Sequence, residues 1–135
     1  MSAIFKKLNL KHESAVLVLN APASFEPELA ALAGPQILRR LDEANSPEFV
    51  LAFVTRLTEV EALSAQLLGR LEGDAKLWFA YPKQSSKRLS CDFHRDTGWQ
   101  ALAAAGFESV RMVAIDEDWS ALRFRKSAYV KTAKA

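Results

Sequence analysis

Apolar residues fall into short runs separated by turn residues, and the runs are of two kinds. Residues 15–19 (Ala-Val-Leu-Val-Leu) and residues 75–81, ending in Tyr81, are apolar runs, and residues 49–54 (Phe-Val-Leu-Ala-Phe-Val) are apolar on both alternating faces. Strands covered by helices on both sides read this way. Between and after them, apolar positions recur at helical spacing. Residues 26–33 predict a helix with Ser24 as N-cap, Pro27 in its first turn and Gly34 just past its end. Val60, Leu63, Leu67, Leu68 and Leu71 predict a second, opened by a capping box over residues 58–61 and ended by Gly73. A third, capped by Asp96 or Thr97, carries Trp99, Leu102 and Ala103 and stops at Gly106. Residues 36–41 alternate weakly and end near Arg39 and Arg40, which fits a short edge strand whose charges discourage foreign pairing.

The last two runs are different. Residues 109–115 and 119–125 are separated only by Asp116, Glu117 and Asp118. Three residues cannot cross over to a parallel neighbour, so these strands form an antiparallel hairpin. The resulting order, β-α-β-β-α-β-α-β-β, predicts an α/β domain with right-handed crossovers in its parallel part.

The chain has 135 residues, half of them apolar, which suits one domain with a single core. Residues 1–12 read as an N-terminal extension and residues 127–135 as a basic C-terminal tail. Lys6 and Lys7 interrupt the apolar start, so it does not read as a signal peptide, and no run approaches the ~20 residues that span a bilayer. Cys91, the sole cysteine, excludes an internal disulfide and a multi-cysteine metal site, and a reducing, cytoplasmic setting is expected. Net charge is +2, but residues 83–135 hold ten Lys/Arg against six Asp/Glu, while residues 1–82 hold eight against ten.

That basic excess begins where the strand ending at Tyr81 opens, through Pro82, into a loop. Lys83, Ser85, Ser86, Lys87, Arg88 and Arg95 offer cations and hydroxyls for the phosphate or carboxylate of a small anionic ligand. In open α/β sheets such a loop lies at the edge where ligands bind. No glycine-lysine phosphate fingerprint accompanies these residues, and a solvated loop that aids solubility is the plainer explanation. Cys91 and His94 are close in sequence but lack a third, orienting residue. With Asp92 and Asp96 they crowd four metal-capable groups into six residues, unlike the separated pairs of structural zinc sites, so no metal is expected. His12 has no evident partner. The acidic triplet at 116–118 is explained by turn formation, and Trp78 and Trp99 by core packing, with Trp119 less clearly assigned. Only Tyr81 and Phe93 flank the basic loop, which argues against nucleic-acid binding.

From about residue 15 to residue 125 this order resembles a reduced class I methyltransferase sheet. Residues 49–54, 77–83, 95–99 and 116–124 also resemble small bacterial proteins grouped as a domain of unknown function. The resemblance implies a three-layer, Rossmann-like sheet of order 2-1-3-4-6-5, with strand 6 reversed. It also exposes a departure. Cofactor binding in those enzymes uses a glycine-rich turn after strand 1, whereas residues 20–27 here contain no glycine and two prolines. Asp42 and Glu43 stand where the ribose-binding acid would be. These features favour a non-enzymatic module, without cofactor, that binds a small anionic ligand or a protein partner at the carboxyl edge of the sheet. The alternative is a degenerate or divergent S-adenosylmethionine-dependent methyltransferase-like enzyme, and a homo-oligomer built through the hairpin is a third possibility.

Overall fold

A computed structural model describes residues 3–93 and 98–130. From the amino end the chain runs α1 (Ala3–Lys7), β1 (Ala15–Leu19), α2 (Glu26–Ala30), β2 (Gln36–Leu38), β3 (Phe49–Phe53) and α3 (Leu57–Leu67). It continues through β4 (Lys76–Pro82), α4 (Gln100–Ala104), β5 (Phe107–Ala114) and β6 (Trp119–Lys126). The strands form one sheet of order β2-β1-β3-β4-β6-β5. β1 pairs in parallel with β2 and β3, and β3 with β4, whereas β6 runs antiparallel to both β4 and β5. This is the mixed, Rossmann-like sheet of methyltransferase-type folds.

Every residue of β3 is buried, and the two-residue period of a strand divides them between two cores. Phe49, Leu51 and Phe53 face one with Phe5, Leu8, Phe25, Leu29, Trp78 and Trp119. Val50 and Ala52 face the other with Val60, Leu67, Phe79, Leu102 and Phe124. Helices α1 and α2 cover the first core, α3 and α4 the second.

Sequence reasoning placed residues 1–12 in an extension, yet Phe5 and Leu8 are fully buried. Backbone bonding completes the docking of this segment: the buried Trp78 Nε1–H donates to the Leu8 carbonyl at 3.0 Å, and Lys76 Nζ donates to the Asn9 carbonyl at 2.6 Å. Asn9, at φ 66°, turns the chain after α1, a left-handed conformation that asparagine tolerates.

Several element boundaries differ from expectation for local reasons. Residues 23–25 form a 3-10 turn leading into α2, so Ser24 caps nothing and the helix ends at Ala30. β2 stops at Leu38 because Glu43 draws the next two backbone N–H groups into a turn. The capping carboxylate of α3 is Glu59, not Glu61: its Oε1 accepts from Thr55 N–H at 2.7 Å and Arg56 N–H at 3.1 Å. The proposed caps Asp96 and Thr97 lie outside the described residues. β5 is an edge strand blunted by a bulge at Val110, between Ser109 and Arg111. No helix among the described residues is long and apolar enough to cross a membrane.

Candidate functional site

Parallel strands β1, β3 and β4 deliver their following segments to one edge of the sheet, the carboxyl edge where ligands of open α/β folds bind. The reversed strand β6 brings the hairpin turn 115–118 to the same edge, since Pro82 pairs with Trp119. After β1, Asn20 adopts φ 59°, so an asparagine supplies the left-handed turn expected of a glycine. Pro22 follows and removes one backbone donor.

The donors after the next two strands are already used by the protein itself. Glu43 Oε1 accepts from Arg39 N–H at 2.9 Å and from Arg40 N–H at 3.0 Å. Glu59 occupies the Thr55 and Arg56 N–H groups, and Asp92 Oδ1 accepts from Leu57 N–H at 2.7 Å. Asp42 is held bidentately by Arg40, at 3.1 and 2.6 Å, and that guanidinium lowers the carboxyl pKa. Arg39 donates to both carboxylate oxygens of Glu26 at 2.9 and 2.8 Å. It thereby ties the segment after β2 to the first turn of α2.

The basic loop is likewise bound to the acidic turn. Asp118 accepts from Ser86 Oγ at 2.8 Å through Oδ1 and from Arg88 Nη2 at 2.8 Å through Oδ2. Its backbone carbonyl accepts from Lys83 N–H at 2.8 Å. Ser86 Oγ in turn accepts from Leu89 N–H at 3.1 Å. Asp116 Oδ1 closes the hairpin turn by accepting from the N–H groups of Asp118 and Trp119, at 2.8 and 2.9 Å.

Two hollows adjoin this latch. One, of about 380 Å³, lies between Pro22, Ser24, Arg88, Leu89, residues 116–118 and Trp119. The other, of about 670 Å³, lies within the loop itself and is lined by Lys83, Ser86, Cys91 and Asp92 among others. Lys83 and Ser86 therefore line one hollow and Arg88 the other. Ser85 and Lys87 are exposed and line neither, and Arg95, with His94, lies outside the described residues. The structure gives Arg88 a carboxylate partner, and that pairing was not evident from the sequence. Cys91 is half-buried, and burial raises its thiol pKa, which favours the protonated thiol over the nucleophilic thiolate.

Beneath the loop, aromatic rings anchor its far end. Trp99 is centred 5.1 Å from Phe93, 5.0 Å from Phe124 and 5.8 Å from each of Phe79 and Tyr81. Gly98 has φ 90°, and a Cβ there would come within 2.9 Å of Phe93 Cβ. On the opposite face, Trp119 is buried and meets Phe53 edge to face at 5.1 Å.

No sequence profile of a known family matches the chain, and no curated protein does. The likeness to the bacterial domain of unknown function therefore gains no support. Solved structures that share the fold include a SAM dependent methyltransferase from Aquifex aeolicus, with TM-score 0.61 and 13% identity, covering 91% of this chain and 87% of that one. Magnesium protoporphyrin IX methyltransferase from Synechocystis, with bound SAH, has TM-score 0.56 and 11% identity over 92% of this chain and 78% of that one. A fibrillarin pre-rRNA processing protein from Methanococcus jannaschii has TM-score 0.55 and 14% identity, over 87% and 68%.

In the arrangement described, the residues after β1 to β3 make a poorer cradle for S-adenosylmethionine than a glycine-rich turn would. The turn lacks glycine, Pro22 lacks a donor, neighbouring donors are taken by Glu43 and Glu59, and Arg39 is paired with Glu26. The inclination from sequence toward a non-enzymatic module is nevertheless corrected. It rested on a cationic loop without a catalytic set and on the glycine-free turn, whereas the sheet as a whole has the fold of methyltransferases of known structure.

Proposed function

We propose that this chain is a divergent S-adenosylmethionine-dependent methyltransferase-like enzyme that works at the carboxyl edge of its sheet. The observation that carries the reading is the sheet order with its reversed β6, matched at TM-score 0.61 by a methyltransferase over 91% of this chain. The position of the 380 Å³ hollow, at the edge the fold reserves for ligands, supports it further.

The Arg39–Glu26 pair is compatible with this reading because it is a weak contact. Glu26 and Arg39 are about half exposed, and water and salt screen such a pair. A ligand can displace Arg39 without breaking the core. The absent glycine turn and the missing Pro22 donor make the site a poorer cradle, so affinity is expected to be low.

Calorimetric titration with S-adenosylmethionine and S-adenosylhomocysteine tests the reading. Saturable binding with Kd near 10–100 μM, on the order of −6 kcal/mol, is the expected result. No heat from either compound at roughly millimolar concentration, where such binding would saturate, overturns it.

A further inference from the structure

We propose that the hollow between the β1 turn and the β5–β6 hairpin takes a cationic substrate with an apolar body, such as an aryl- or alkylamine. The inference rests on the preceding reading only in taking the carboxyl edge as the working edge. It deepens that reading by naming the class of molecule acted upon.

Size, apolar walls and charge point the same way. The hollow, about 380 Å³, has room for a small organic molecule, and Pro22, Leu89 and Trp119 give it apolar walls. Arg88, the one cation lining it among the described residues, is matched at 2.8 Å by Asp118, whose side chain is only 16% exposed. That pairing leaves Asp116 and Glu117 unmatched among the lining charges. Asp116 commits Oδ1 to the hairpin turn. Glu117 is 91% exposed and lies 3.9 Å from Arg88, too loose a contact to hold it. An anion entering here would meet two surplus carboxylates and an arginine already engaged. An ammonium group would meet carboxylates at the rim while its hydrocarbon part lay against Trp119 and Leu89.

On the other side of β1, Arg39 is paired with Glu26, and the Arg39 and Arg40 N–H groups are occupied by Glu43. The two halves of the edge thus have different characters. One is an ion-paired rim at β1 and β2, the other an open, acid-rimmed hollow at β1, β4 and the hairpin.

The test uses three molecules with one skeleton and different charge: 2-phenylethylamine, phenylacetate and 2-phenylethanol. Each is titrated into the full chain while amide and indole N–H resonances are followed by NMR. The amine is expected to shift Trp119 and residues 116–118 saturably, and to bind roughly tenfold more tightly than phenylacetate. Glu117→Gln, a change at an exposed position, should weaken the amine about threefold, the loss of one partly screened charge. Arg88→Ala should tighten it by freeing Asp118.

The proposal is overturned if phenylacetate binds as well as the amine or if Arg88→Ala weakens the amine. It is also overturned if the shifts fall elsewhere, or if no probe gives a saturable response. Titration of the same samples with S-adenosylhomocysteine separates the two claims. Cofactor binding without an amine response removes this substrate class alone, and an amine response without cofactor binding removes the methyltransferase reading alone.

Discussion

Arg88 donates to Asp118 at 2.8 Å while Ser86 donates to the other oxygen of the same carboxylate at 2.8 Å, so one hairpin side chain fixes the loop after β4. Asp118→Ala should therefore loosen residues 83–89, leaving Ser86 and Arg88 without their acceptor. A loss of about 1–2 kcal/mol in urea denaturation is expected, with faster amide exchange confined to the loop. Lys87→Ala, at an exposed position lining neither hollow, should leave both measurements unchanged.

The N-terminal helix is held by side chains buried in the core, Phe5 and Leu8 among them. Trp78→Phe keeps most of the ring volume but strands the buried Leu8 carbonyl, at a cost of about 1–3 kcal/mol. Phe5→Ala empties a fully buried site between Phe25 and Phe49 and should cost about 3–5 kcal/mol. Equilibrium unfolding of both variants checks these values, and a near-zero change in either would detach α1 from the core.

Gly98→Ala combines a steric clash with an unfavourable backbone. The new Cβ meets Phe93 Cβ at 2.9 Å, and φ 90° lies in the region that favours glycine. About 1–3 kcal/mol of destabilisation is expected, with loss of near-ultraviolet dichroism from the cluster around Trp99.

Two carboxylates make stability fall in acid. Hydrogen bonding to Arg125, at 2.8 and 2.6 Å, lowers the Asp74 pKa against some opposing desolvation. Burial acts to raise Glu13, but the Lys76 ammonium at 2.8 Å and the Lys11 N–H at 2.9 Å outweigh it and hold it low. Both groups therefore bind protons less readily when folded. Their contribution is complete above the ordinary carboxylate range, near pH 4, and is lost as pH falls through the lowered folded values. Asp74→Asn and Glu13→Gln should each flatten the acid limb of stability against pH and leave its neutral region with a constant offset.

Much of the architecture was legible because it depends on period and turn length. The all-apolar β3 and the largely apolar β4 marked the sheet centre, and the three acids at 116–118 required a hairpin, which in turn gave β6 its reversed direction. The docking of α1 was not legible, since Phe5 and Leu8 amid lysines carry no strong periodic signal and their partners Phe49 and Trp78 lie far along the chain. At the site, sequence located the loop and its cations but not their partners. Asp118 lies thirty residues from Arg88, and Glu26 thirteen from Arg39. Charge run by run therefore suggested an anion contact, whereas the folded arrangement pairs Arg88 and leaves an acid-rimmed hollow beside it.

The central proposal is that the carboxyl edge beyond β1 and β2, where Arg39 pairs with Glu26, takes a cofactor of the S-adenosylmethionine type. Parallel calorimetric titration of the native chain and Arg39→Gln with S-adenosylhomocysteine tests it most directly. The account predicts saturable binding by both, tighter in the variant by about three- to tenfold, since the surface pair no longer competes with the ligand. Absence of binding by both proteins, or weaker binding by Arg39→Gln, would contradict it.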